Sequence, residues 1–213
     1  MDLILYVFDI FIHLDKHLSM IIQNFGVWTY LIFFIVIFCE TGLVVTPILP
    51  GDSLLFGLGY FAAIGALQIE ILVAALACAS ICGDNVNYTI GRFVGPRVFY
   101  QENVRFLNKE YLSRAHQFYE KHGGKTIILA KYVPIIRTYA PFVAGIGSMT
   151  YRKYLTFNVI AGIAWVSTMT LSGYFFGDLP FVRNNFGVVV LAIIFISILP
   201  GIIHYIRQRK EIA

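Results

Sequence analysis

The sequence predicts an all-α integral membrane protein built as an inverted repeat, with two opposed re-entrant hairpins and about four spanning helices. Three observations predict it. The 213 residues are 58% hydrophobic and only 13% charged, with mean hydropathy +0.75, whereas soluble domains carry roughly 25% charged residues. The apolar stretches are too long for the short alternating strands of an outer-membrane barrel. Finally, two of them are broken by proline and glycine and carry charge: Cys39 to Ser53 and Lys131 to Gly145. Paired, broken apolar segments are a sequence pointer to a transporter's binding site.

Taken in order, residues 1–17 read as an interfacial N-terminal helix, apolar except for Asp9 and too short to span comfortably. Residues 1–9 contain no Lys or Arg and so lack the basic start of a signal peptide. Trp28 and Tyr30 open an apolar helix to about Cys39, with aromatic rings suited to the headgroup boundary. Residues 40–65 form re-entrant segment one, and 67–95 a long helix carrying Asp84 and Arg92. The stretch 97–125 is strongly polar, with six basic side chains against Glu102, Glu110 and Glu120, and reads as a cytoplasmic surface segment. Residues 126–149 form re-entrant segment two, followed by helices over 151–177 and 186–206 and a basic tail from Arg207.

If both broken segments dip and return, four helices cross and both termini share one side. The 97–125 stretch, Arg152-Lys153 and the tail then fall on that side, leaving Glu70, Asp178 and Arg183 opposite. The asymmetry follows the positive-inside rule and predicts cytoplasmic termini. Full crossings, two each way, would give the same sides. Pro47-x-x-Pro50-Gly51 and Pro141-x-x-Ala144-Gly145 repeat at a fixed interval. Each half also carries a helix with paired glycines, Gly91-x-x-x-Gly95 and Gly173-x-x-x-Gly177, a spacing that lets membrane helices approach closely.

Charges at membrane depth are costly and mark candidate sites. Glu40 at the end of an apolar run, Asp52 beside the Pro/Gly break, and Asp84 are candidate proton-coupling groups, since a desolvated carboxylate gains a proton more readily. Asp52 also suits the N-cap of a restarting half-helix, and Glu40 a helix end at the interface. Lys131 and Arg137 flank Pro134 and are candidate phosphate ligands, Arg as a planar fork and Lys as a point charge. Asp52, Ser53 and Thr138 complete the candidate substrate-binding set. The plainer reading is charge balance, with the bases pairing Glu40, Asp52 or Asp84. Asp84 and Arg92, eight apart, read as sharing a helix face.

Other signals fall away. Gly124-Lys125-Thr126 resembles the end of a phosphate-binding loop, but Tyr119 stands where a glycine is required. His13 and His17 have helix-ligand spacing without companions, so no metal site and no cofactor is expected. Cys39, Cys78 and Cys82 read as small buried packing residues. No nucleophile or paired-carboxylate hydrolase arrangement is visible, so no catalytic residue is assigned and an enzyme is not expected. The polar stretch lacks the interleaved aromatics of a nucleic-acid binder.

Glu40-Thr41-Gly42, Pro47-x-x-Pro50-Gly51-Asp52-Ser53, Gly83-Asp84-x-x-x-Tyr88-x-x-Gly91-Arg92 and Pro134-x-x-Arg137-Thr138-x-x-Pro141-Phe142-x-Ala144-Gly145 resemble the bacterial DedA family, whose wider clan includes the VTT-domain lipid scramblases. The likeness runs over almost the whole chain. It implies an inner-membrane protein with two opposed re-entrant hairpins that moves lipids between leaflets, undecaprenyl phosphate being the leading substrate and phosphatidylethanolamine another, with dependence on the proton motive force. It implies important roles for Glu40, Asp52 and Arg137. The position of Lys131 is usually Arg in that family, so this chain keeps the charge there and loses the fork. The expected function is therefore a phosphorylated-lipid translocase with lipids and protons as partners. The competing expectations are a proton-coupled exporter of small cations and a non-transport assembly factor. Self-association is compatible with all three.

Overall fold

The computed structural model describes residues 14–43, 51–100, 124–147, 149–197 and 199. The proline-rich part of the first broken segment, most of the polar 97–125 stretch, the start of the N-terminal helix and the basic tail lie outside them. Among the described residues every regular element is helical: α1 (Leu14–Phe25), α2 (Trp28–Gly42), α3 (Gly51–Ala63), α4 (Ile69–Tyr100), α5 (Lys125–Ala130), α6 (Pro134–Ile146), α7 (Tyr151–Phe176), α8 (Pro180–Asn184) and α9 (Phe186–Ser197).

Among the described residues two helices, Ile69–Val94 within α4 and Tyr151–Phe176, are long and apolar enough to cross a membrane; α2 and α9 are apolar but shorter. At 13 residues each, α3 and α6 rise only about 20 Å, less than a hydrocarbon core of about 30 Å. Large apolar side chains such as Ile71, Val86, Ile90, Phe93, Ile160, Ile163 and Phe175 point outward, while Glu40, Asp84, Asn87, Lys131, Arg137 and Asn158 are buried. Polar inside and apolar outside is the arrangement lipid demands, because buried polar groups need partners and the exterior has no water to offer.

The chain forms two compact units. One comprises Met1–Ile35, Pro50–Ala77 and Val166–Ala213; the other comprises Val36–Leu49 and Cys78–Trp165. In the first, amphipathic α1 buries Leu14, Leu18 and Ile22, and Gly57 of α3 leaves room for the Leu18 side chain. Gly26 ends α1 at φ +50°, a left-handed conformation that favours glycine, and its N–H donates to the Ile22 carbonyl at 3.0 Å. A Cβ on Gly59 would strike the Thr170 backbone, and one on Gly173 the Phe56 backbone, so α3 and α7 cross at backbone contact. Phe186 of α9 packs its ring 5.4 Å from that of Tyr60.

The second unit repeats this construction with other residues. Gly91 of α4 lies against the Phe142 backbone, and Gly145 of α6 against Tyr88 and Arg92. Gly42 and Gly83 bring the end of α2 close to α4. Tyr88 and Tyr154 stack with centroids 4.1 Å apart, and the Tyr88 hydroxyl donates to the Met149 carbonyl at 2.5 Å. One face of α7, Tyr154, Asn158, Ala161 and Trp165, is wholly buried at helical spacing. Tyr154 donates from its hydroxyl to the Asp84 carbonyl at 2.8 Å, and Asn158 from its amide to the Ile81 carbonyl at 3.1 Å. These two bonds set the register of α7 on α4.

Two expectations differ from the structure. Cys78 and Cys82 lie on the outer surface with sulfurs 4.0 Å apart, not in the interior; an apolar exterior in lipid accepts them as readily as a core would. Arg92 is exposed while Asp84 is buried, because eight residues advance a helix by about 80° beyond whole turns. Gly51 is the first residue of α3, and Gly145 is next to last in α6.

Candidate functional site

The site lies in the second unit and begins with a helix break. α5 ends at Ala130, Lys131 and Tyr132 form a turn, and Val133 is extended at φ −119°, ψ 107°. Pro134 explains this: it disfavours helix in the residue before it and suits the first position of the next helix. In an unbroken helix, six residues would leave Lys131 and Arg137 about 120° apart. The break turns Lys131 so that both side chains reach one place.

That place is the buried ring of Trp165, with Lys131 Nζ 5.2 Å and Arg137 Cζ 4.8 Å from its centroid. Each cation also has its own carboxylate. Lys131 Nζ lies 2.5 Å from Asp84 Oδ2 and donates to Ser80 Oγ at 2.8 Å. Arg137 Nη2 bonds Glu40 Oε1. Relative exposures are 1% for Glu40, 0% for Asp84, 2% for Lys131 and 4% for Arg137. The four charges thus form two pairs out of water, neutral as a set. A buried charge left alone would be untenable at this depth. The second carboxylate oxygen of Asp84 is buried and meets no donor among the described residues.

Asn87, one turn beyond Asp84 on α4, braces the backbone. Its amide donates to the carbonyls of Thr41 at 3.2 Å and Thr138 at 2.7 Å, the neighbours of Glu40 and Arg137. Pro141 in α6 has no N–H to offer the Arg137 carbonyl one turn back. Thr138 is buried beside Arg137.

Asp52 and Ser53 belong to the first unit, Glu40 to the second. Glu40 packs with the bases; Asp52 is buried in the first turn of α3, inside the helix instead of capping it, and accepts from the Ser197 hydroxyl at 2.6 Å. Trp165, Asn87, Ser80 and Ser197 were absent from the sequence-derived candidates. Trp165 carried a readable signal: tryptophan favours the headgroup boundary, yet this one sits far from either end of a long apolar helix. Asn87 shares a helix face with Asp84. Ser80 and Ser197 had no such signal. Among the described residues no cluster of His, Cys, Asp or Glu is arranged to hold a metal.

Apolar outer faces around paired interior charges define a helical membrane protein with a polar core, not a soluble bundle. The VTT domain matches residues 49–175. The chain is 50% identical to protein DedA of Escherichia coli K12, over 100% of this chain and 98% of that one. It is 45% identical to an uncharacterized membrane protein of Mycobacterium tuberculosis H37Rv, over 83% and 78% of the two chains. It is also 32% identical to inner membrane protein YqjA of Escherichia coli K12, over 71% and 69%. The chain belongs to the DedA/VTT family. No solved structure matches it.

Proposed function

We propose that this chain is a multi-pass bacterial inner-membrane translocase for a phosphorylated lipid, with undecaprenyl phosphate its leading substrate. The observation that carries the reading is the buried set of two cations and two carboxylates at a proline break. Two of the relatives are named as membrane proteins, one of them of the inner membrane, which supports this reading. A phosphate entering the set would take the place of carboxylate on Arg137 and Lys131, an exchange of anion for anion that leaves the cations paired. Arg137 offers the planar fork and Lys131 a point charge. The start of α6, where Arg137 lies, adds the positive end of a helix dipole. Glu40 and Asp84, displaced, would take protons or regain their cations as the lipid leaves. Asp52 with Ser53 would serve the same proton traffic in the first unit. The short helices α3 and α6, each too short to cross alone, fit two opposed re-entrant hairpins, with cytoplasmic termini following from the charge asymmetry.

Purified protein in liposomes should move a phosphorylated prenyl lipid between leaflets, and Arg137→Gln should lower the rate at least tenfold. Failure to move any phosphorylated lipid, at any pH or gradient, ends this reading. A proton-coupled exporter of small cations would keep substrate binding in Arg137→Gln and lose it in Glu40→Gln.

A further inference from the structure

Trp165 is not explained by packing alone. A hydrophobic core residue at this depth would be served by leucine or phenylalanine, yet a fully buried indole lies beneath two cations from either side of a helix break. Because both are close to one centroid, the two charge centres lie within about 10 Å of each other, near enough to repel in a medium without water. In the closed arrangement Glu40 and Asp84 quench that repulsion. Any step in which a carboxylate leaves its cation removes the quenching at the moment both cations must stay in place. Indole is the aromatic face that attracts cations most strongly, and it does so without carrying a charge that would compete with an incoming anion.

We infer that Trp165 is a positioning residue that holds Lys131 and Arg137 together as a two-pronged grip for one phosphate group while Glu40 and Asp84 let go. The inference rests on the phosphorylated-lipid reading above and assigns the residue that makes two separate ion pairs act as one site. The fold keeps the ring in place: Tyr154 and Asn158, on the same face of α7, are hydrogen-bonded to the backbone of α4 at Asp84 and Ile81. α4 also carries Ser80 and Asp84, the partners of Lys131. The grip and its platform therefore share one frame. It also bears on Lys131, which lacks the fork of an arginine. A flexible ammonium needs a second contact to fix its direction, and the ring supplies one.

The chain holds two tryptophans, and Trp28 is 68% exposed and remote from the site in sequence. Trp28→Phe therefore leaves Trp165 as the sole indole reporter in otherwise intact protein. Farnesyl phosphate, added to this variant in detergent, should change Trp165 emission saturably; farnesol should not, and added Arg137→Gln should weaken the response at least tenfold. In the unaltered background, Trp165→Leu should weaken farnesyl phosphate binding, measured by calorimetry, at least tenfold, and Trp165→Phe by a few-fold. A residue that merely fills space would shift thermal unfolding in both variants and leave affinity unchanged. If calorimetry shows farnesyl phosphate bound while emission does not move and Trp165→Leu binds as wild type, the inference fails and the translocase reading stands. If wild type neither binds farnesyl phosphate nor moves prenyl phosphate, both fail.

Discussion

At the scale of single residues, the governing fact is that Glu40 and Arg137 are each almost wholly out of water and bonded to one another. Removing one partner leaves the other charged and buried, which typically costs about 3–5 kcal/mol. Glu40→Gln and Arg137→Gln should therefore each lower thermal stability in detergent. The double variant Glu40→Gln/Arg137→Gln should recover most of the loss, since two neutral amides can bond across the same gap. Thermal unfolding of the three variants checks this; equal and additive losses would mean that the pair is not coupled. The residues Glu40, Asp84, Lys131 and Arg137 stood out in the sequence because charge in apolar surroundings is conspicuous. Their pairing did not, because sequence shows which charges are buried but not which cation a carboxylate meets. Charge balance and site formation were both readable, and the geometry joins them: the paired groups are themselves the candidate site.

At the scale of elements, glycine decides how closely helices cross. A side chain at Gly91 would collide with the Phe142 backbone, and one at Gly173 with the Phe56 backbone. Backbone cannot swing aside as a side chain can. Overpacking of this kind costs about 1–3 kcal/mol or more. Gly91→Val and Gly173→Val should each reduce the yield of monodisperse protein and lower its unfolding temperature, measurable by size-exclusion and thermal scans. Wild-type values for both would remove these crossings from the account. The long apolar helices α4 and α7 were legible because an unbroken apolar run of this length permits little else. The Pro134 break was legible for the same local reason.

At the scale of the whole molecule, the second unit gathers the candidate site from four distant stretches: the end of α2, the middle of α4, the α5–α6 break and the middle of α7. Such a site is invisible to any single motif. Composition announced the membrane class, and resemblance over almost the whole chain announced the family, but Trp165 and Asn87 become functional candidates only once α7 and α4 are registered against each other. Asp52, in the first unit, is tied instead to Ser197 of the same unit.

On the proposal above, the paired charges are there to be exchanged for a lipid phosphate, not merely to satisfy one another. Its most direct test is the transport rate of the neutral double variant Glu40→Gln/Arg137→Gln in liposomes, compared with wild type at matched folded protein. Exchange of anions at this pair requires that the folded double variant move phosphorylated prenyl lipid at least tenfold more slowly. A folded double variant that transports at the wild-type rate would contradict it and reduce the pair to scaffolding.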